Sequence, residues 1–187
     1  MEVSIGVSNR HVHLTKEDLE VLFGKGSELE VVKVLHQPDN FASNSFVTLK
    51  TEKSTIEHVR VLGALRNYTQ VEISKTDAYK LGLNPPVRDS GDLKGSSPIT
   101  LVGPMGELEL KEGCIIATRH IHITKEQMKE FGFEGKQTVS VRLKGEKGGI
   151  IDNVHLKVGE LSYFELHLDT DDANAHFVKE GDIGEIL

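Results

Sequence analysis

Two histidines separated by a single residue occur twice in this chain, in the same setting. Arg10-His11-Val12-His13-Leu14-Thr15-Lys16-Glu17 recurs as Arg119-His120-Ile121-His122-Ile123-Thr124-Lys125-Glu126. On a strand, side chains at i and i+2 leave the same face, whereas on a helix they diverge by about 200°. Each copy is therefore a two-imidazole pincer, and two pincers from two halves of a chain can meet at one site. Neutral imidazole suits zinc and other late transition metals. A lone His-x-His pair is more often a solvated or hydrogen-bonded pair. Here the repeat keeps the arginine, both histidines and the Thr-Lys-Glu while the halves have otherwise diverged, and that favours a zinc centre.

A fainter correspondence supplies a third ligand to each half. Val71-Glu72-Ile73 precedes Thr76-Asp77-Ala78, and Leu166-His167-Leu168 precedes Asp171-Asp172-Ala173. In both, a metal-capable side chain lies a few residues before an Asp-Ala pair at an apparent helix start, which adds Glu72 and His167 to the pincers. After each pincer a capping-box pattern opens a short helix: Thr15 with Asp18, and Thr124 with Gln127. Leu19, Leu22 and Phe23, then Met128 and Phe131, give these helices an apolar face, and Gly24 and Gly132 are placed to end them.

The elements that must hold these residues are mostly strands. Alternating or apolar runs bounded by Gly, Pro and Asp occupy 3–9, 29–35, 45–50, 55–62, 69–74, 98–102, 107–110, 113–119, 137–143, 149–157, 162–168 and 183–187. The stretch 36–44 reads as a mobile loop, 82–106 as a long connection punctuated by proline and glycine, and Gly103-Pro104-Met105-Gly106 as a hairpin turn. With 187 residues the chain can form one large domain or two modest ones, and the repeat favours two. The repeat also suggests units that exchange strands about a pseudo-two-fold axis, which periodicity does not decide.

Composition narrows the function. Hydrophobic residues at 37% and charged residues at 27% suit a soluble globular protein. No apolar run approaches the ~20 residues of a membrane span, and Met1-Glu2-Val3-Ser4-Ile5 enters a strand pattern at once, leaving no room for a targeting helix. A cytoplasmic protein is expected. The single cysteine, Cys114, excludes an intrachain disulfide and lies in an apolar run, so it reads as a buried structural residue. A net charge of -7 argues against nucleic-acid or anionic-membrane binding. An anionic small substrate stays open where cations gather locally.

Five segments, in order, carry a family resemblance: Gly6-Val7-Ser8-Asn9-Arg10-His11-Val12-His13-Leu14, Arg66-Asn67-Tyr68-Thr69-Gln70-Val71-Glu72-Ile73-Ser74, Gly103-Pro104-Met105-Gly106, Ala117-Thr118-Arg119-His120-Ile121-His122 and His167-Leu168-Asp169-Thr170-Asp171-Asp172-Ala173-Asn174-Ala175. Together they resemble the PduL-type phosphotransacylases, also called phosphate propanoyltransferases, which interconvert acyl-CoA plus phosphate with acyl phosphate plus CoA. The resemblance implies a mainly β fold of two pseudo-symmetric β-barrel domains with short capping helices and an exchanged N-terminal strand. One domain would comprise 1–9 plus 118–187 and the other 10–117. It implies two zinc ions held by His11, His13, Glu72, His120, His122 and His167, a catalytic, phosphate-binding Arg66, and coenzyme A contacts at Ser8, Lys33, Arg60, Leu62 and Asn174. Where many members have Gly-Pro before that arginine, this chain reads Gly63-Ala64-Leu65-Arg66. Members destined for microcompartments often carry an N-terminal extension with an amphipathic helix, absent from this sequence, so the open cytoplasm is the expected location.

Such a residue set supports direct acyl transfer. Zinc can polarise a thioester carbonyl and stabilise a departing thiolate. An arginine fork can aim phosphate at the carbonyl, and proximity can supply on the order of 7–11 kcal/mol at best, so no protein nucleophile is needed. The rival classes are a zinc hydrolase acting on acyl-CoA as a thioesterase and a non-catalytic zinc-stabilised module. Arg10 and Arg119 are expected to form structural ion pairs, and His36, His58, His155 and His176 to be surface or satisfied histidines. Acyl-chain preference and oligomeric state are not written in the sequence.

Overall fold

Apolar–polar alternation carries most of the chain into strands that close into two similar sheets. The computed structural model describes residues 1–160 and 163–187. In chain order the elements are β1 (Glu2–Ser8), β2 (His11–His13), α1 (Lys16–Phe23), β3 (Val31–Val34), β4 (Phe41–Lys50), β5 (Thr55–Gly63), β6 (Gln70–Glu72), α2 (Lys75–Leu81), β7 (Val87–Arg88), β8 (Ser97–Val102), β9 (Glu107–Ala117), β10 (His120–Ile123), α3 (Lys125–Glu130), β11 (Thr138–Leu143), β12 (Gly149–Val158), β13 (Glu165–Asp169), α4 (Thr170–His176) and β14 (Ile183–Ile186). The strand expected over 162–168 begins at Glu165, and Ser162 lies outside the described residues. Among the described residues no helix is long and apolar enough to cross a membrane.

Residues Met1–Asn9 with Thr118–Leu187 form one compact unit and Arg10–Ala117 the other. In the first, six strands close in the order β1-β13-β10-β12-β11-β14. In the second, β4-β5-β2-β6-β9-β8 closes because β8 pairs with both β9 and β4, while β3 and β7 extend the sheet. Pair orientations match strand for strand. β2 runs parallel to β5 and antiparallel to β6, and β10 runs parallel to β12 and antiparallel to β13. The strand preceding each pincer belongs to the other unit: β1 leads into β2 yet pairs with β13 and β14, and β9 leads into β10 yet pairs with β6 and β8. The mainly β, two-barrel architecture with an exchanged N-terminal strand is thus the one the sequence led to expect.

Each barrel is filled by the residues that alternate with the histidines. Val12, Leu14, Val61, Val71 and Cys114 belong to one core, and Ile5, Ile121, Ile123, Leu166 and Leu168 to the other. A one-residue slip of β2 or β10 would turn imidazoles into the core and branched aliphatics out, at about 1.5–3 kcal/mol per aliphatic side chain. Core packing therefore fixes which face carries the pincers. Cys114 is fully buried, and desolvation pushes its thiol up to about 12, as the structural reading of this cysteine requires.

Local hydrogen bonding closes the helices as expected, with one change. Thr124 and Gln127 form a complete capping box at α3, whereas at α1 Thr15 caps the Asp18 amide but the Asp18 carboxylate accepts from the Thr69 hydroxyl. Thr69 Oγ1 in turn accepts from the Thr15 amide at 3.2 Å, so a residue from the approach to β6 replaces the reciprocal half of the box. Gly24 at φ 103° ends α1, and Gly132 at φ 68° follows the C-cap Phe131 of α3. The loop expected over 36–44 is shorter than that, because β4 already begins at Phe41. The aromatic ring covers Gly63 so closely that a Cβ there would lie 2.1 Å from the Phe41 Cζ.

The repeated arginines tie each pincer to the following helix. Arg10 forms a two-pronged contact with Asp77 (2.8 and 2.8 Å), and Arg119 does the same with Asp172 (2.7 and 2.7 Å). Asp77 and Asp172 occupy the first turns of α2 and α4, so each bridge locks the strand start to a helix N-terminus. Arg10→Ala leaves the Asp77 carboxylate, 5% exposed, without that fork. Between surface and fully buried pairs, the expected loss is about 1–3 kcal/mol, read as a lower urea midpoint with unchanged slope.

Candidate metal centres

In the unit of Arg10–Ala117, antiparallel pairing of β2 with β6 sets His11 opposite Glu72 and His13 opposite Gln70. Because all four side chains leave the wall away from the core, ligand atoms of His11, His13 and Glu72 come within 4.8 Å of one another. His11 Nε2 lies 3.5 Å from Glu72 Oε2. His13 is 2% exposed, and its Nδ1 has no hydrogen-bond partner among the described residues. Burial above all, with His11 and Arg66 nearby, pulls the His13 imidazole down to about 2. It is neutral at physiological pH, the form that binds metals.

Arg66 joins this triad through the backbone and through a polar chain. Its amide donates to the Leu14 carbonyl at 2.9 Å, immediately after the pincer. Its Nη1 donates to Tyr68 Oη and Ser90 Oγ, both at 3.0 Å. Ser90 Oγ also accepts from the Gln70 amide at 2.9 Å, and the same amide donates to Glu72 Oε1 at 2.5 Å. The Gly91 amide holds Gln70 Oε1 at 2.7 Å, which fixes the orientation of the side-chain amide. The peptide before this turn, Gly63–Ala64, is cis.

The other unit repeats the construction. Pairing of β10 with β13 sets His120 opposite His167 and His122 opposite Glu165. Ligand atoms of His120, His122 and His167 lie within 4.8 Å of one another. His120 Nε2 and His122 Nε2 are 3.1 Å apart, and His120 Nδ1 rests 2.9 Å from the Thr118 carbonyl. With the Nδ1 proton donated to that carbonyl, the lone pair of His120 lies on Nε2, the nitrogen that faces His122. His122 is pulled down to about 3, by desolvation first, then by the two histidines and Lys157 around it. His167 Nε2 is 2.5 Å from Tyr163 Oη and 3.1 Å from Glu165 Oε1.

Both triads suit a divalent metal. Tetrahedral ligands at ~2 Å from zinc are separated by roughly 3.3 Å, close to the 3.5 Å of His11–Glu72 and the 3.1 Å of His120–His122. Two imidazoles with a carboxylate, and three imidazoles, are donor sets of catalytic rather than closed structural sites, since each leaves a position open. Fewer ligands than four would give a purely structural zinc module weak purchase.

Of the residues that resemblance assigns to coenzyme A, Arg60 lies opposite His11 in the β2–β5 register, its guanidinium 4.5 Å over the Phe46 ring, and half-buried Leu62 follows on the same strand. Lys33 is exposed on β3. In the other unit, Ser8 is in register with Asp169, the N-cap of α4, and exposed Asn174 lies on that helix. His58 is exposed and stacks on Phe46 at 3.7 Å, while His176 Nδ1 contacts the Lys147 carbonyl at 3.2 Å. Neither belongs to a triad. Sequence reading passed over Gln70 and Glu165, although each stands two residues before a third ligand and so shares its face. Ser90, Tyr68 and Tyr163 are brought in from loops and carry no such signal.

The family model for phosphate propanoyltransferase matches residues 4–179. A phosphate propanoyltransferase of Thermotoga maritima is 50% identical over 186 residues, covering 99% of this chain and 89% of its own. Proteins of the same name from Priestia megaterium and Lachnoclostridium phytofermentans are 48% and 46% identical, with 97% and 99% of this chain and 84% and 87% of theirs aligned. Both pincers, both third ligands and the arginine beside them fall inside the matched span, and the chain belongs to the phosphate propanoyltransferase family.

Proposed function

We propose that this protein transfers a short acyl group, acetyl or propanoyl, between coenzyme A and inorganic phosphate. The observation that carries this reading is Arg66, anchored beside a His/His/Glu triad by its own amide and by Tyr68 and Ser90. A guanidinium fixed there offers inorganic phosphate a hold beside the triad. Among the described residues both side-chain bonds of Arg66 leave from Nη1, so Nε and Nη2 remain for a planar two-oxygen contact with phosphate. The Ser90–Gln70–Glu72 chain holds that fork in register with the pincer.

Two zinc ions, one on His11, His13 and Glu72 and one on His120, His122 and His167, would supply Lewis acidity toward the acyl oxygen and affinity for thiolate sulfur. Arg66 orients phosphate so that one oxygen attacks the thioester carbonyl carbon. A C–O bond forms, the C–S bond breaks with its electron pair on sulfur, and acyl phosphate and coenzyme A result. Cys114 does not carry the acyl group, because its thiol is buried and held far from ionisation. Ser8, Lys33, Arg60, Leu62 and Asn174 are assigned to coenzyme A by family correspondence.

With zinc-replete protein, thiol release from acetyl-CoA and propanoyl-CoA is expected to require phosphate and to match acyl phosphate trapped by hydroxylamine mole for mole. Thiol release indifferent to phosphate would show a thioesterase instead. No release from either substrate would defeat both enzymatic readings.

A further inference from the structure

The two centres differ in where their negative charge sits, and Glu165 is the residue that makes the difference. By strand register Glu165 occupies in one barrel the place of Gln70 in the other, opposite the second histidine of the pincer. The triad beside Gln70 contains a carboxylate, Glu72, and Gln70 is a neutral amide held by Ser90 and Gly91. The triad beside Glu165 is three imidazoles with no carboxylate among them, and Glu165 is a carboxylate 7% exposed. One carboxylate thus accompanies each set of histidines, at exchanged positions.

Neighbouring strands explain why the two side chains turn differently. In the register of β1 with β13, Gly6 stands beside His167, and in that of β9 with β6, Ile115 stands beside Glu72. Ile115 fills its place with a fully buried side chain. Gly6 leaves its place open: a Cβ there would lie 2.6 Å from Glu165 Oε1 and 3.2 Å from His167 Cδ2. The Glu165 carboxylate lies over the bare backbone of Gly6, with Oε1 3.1 Å from His167 Nε2 and Oε2 3.5 Å from Ser4 Oγ.

Building on the metal-centre reading above, we infer that Glu165 is the charge-balancing carboxylate of the His120/His122/His167 centre, a positioning residue that sets metal affinity there and is admitted by Gly6. A dication on three imidazole ligands in a half-buried site needs a nearby anion to offset lost hydration. Glu72 already performs this service at the other centre.

The test is zinc titration against a competing chelator and cobalt(II) titration followed by visible absorption, on wild type, Glu165→Gln and Gly6→Ala. The double variant His11→Ala/His13→Ala identifies which binding step belongs to which centre. Glu165→Gln is expected to weaken the His120/His122/His167 step by about 10–100-fold, to change its cobalt spectrum, and to leave the other step alone. Gly6→Ala, whose Cβ would meet Glu165 Oε1 at 2.6 Å and His167 Cδ2 at 3.2 Å, displaces the carboxylate most and is expected to shift the same step in the same direction. A hydrogen-bonding role confined to Ser4 would instead lower the melting temperature of the metal-free protein and leave both affinities as they were, which would overturn the inference. Two unchanged binding steps in Glu165→Gln overturn it as well, while wild-type protein that takes up no metal overturns the metal-centre reading and this inference with it.

Discussion

Replacing both histidines of either pincer with alanine is expected to remove that metal and to drop phosphate-dependent turnover to less than about a thousandth of wild type. Each triad loses two of its three ligands, and a single remaining Glu72 or His167 does not hold a divalent ion at physiological concentrations. The fold should survive, because the pincers face away from the cores formed by Val12 and Leu14 on one side and Ile121 and Ile123 on the other. Circular dichroism and the urea midpoint of metal-free protein, compared with metal-free wild type, separate loss of the site from loss of the barrel. Metal content by elemental analysis should fall by one ion per chain. Full activity in protein stripped of metal would sink the assignment of both centres.

Arg66→Ala is expected to retain both metals and coenzyme A binding, to raise the phosphate KM and to slow turnover by at least about tenfold, the cost of losing a charge-assisted fork aimed at the attacking group. Ser90, Gln70 and Tyr68 remain in place to hold the surrounding loop. Arg66→Lys should rescue little, since an ammonium is a point charge without the planar pair of donors. The discriminating measurement is a phosphate titration at saturating acyl-CoA together with a metal count. Unchanged phosphate kinetics in Arg66→Ala would move the role to Lys33 or Arg60, of which Arg60 already lies opposite His11.

The shared face of each histidine pair and the β-rich architecture were legible because each follows from a short-range rule. Side chains two apart on a strand share a face, so His11 with His13 and His120 with His122 had to project together once their segments were strands. Their alternation with Val12, Leu14, Ile121 and Ile123 decided which face, since the aliphatics needed a core. Thr124 with Gln127 caps its helix through contacts three residues apart. The duplicated arginines read as ion pairs for a similar reason, although their partners Asp77 and Asp172 lie far along the chain. Other features depended on distant pairings that no local pattern encodes. Phe41 enters a strand because Gly63 leaves a slot for its ring, and Asp18 gives up its helix cap to Thr69. Residue types and spacing determined which groups could ligate a metal, and the family resemblance alone pointed to Arg66 for phosphate. Tertiary structure alone decided their company, because strand register, set by packing across each barrel, joined Arg66 to Glu72 through Ser90 and Gln70 and laid Glu165 over Gly6 beside His167.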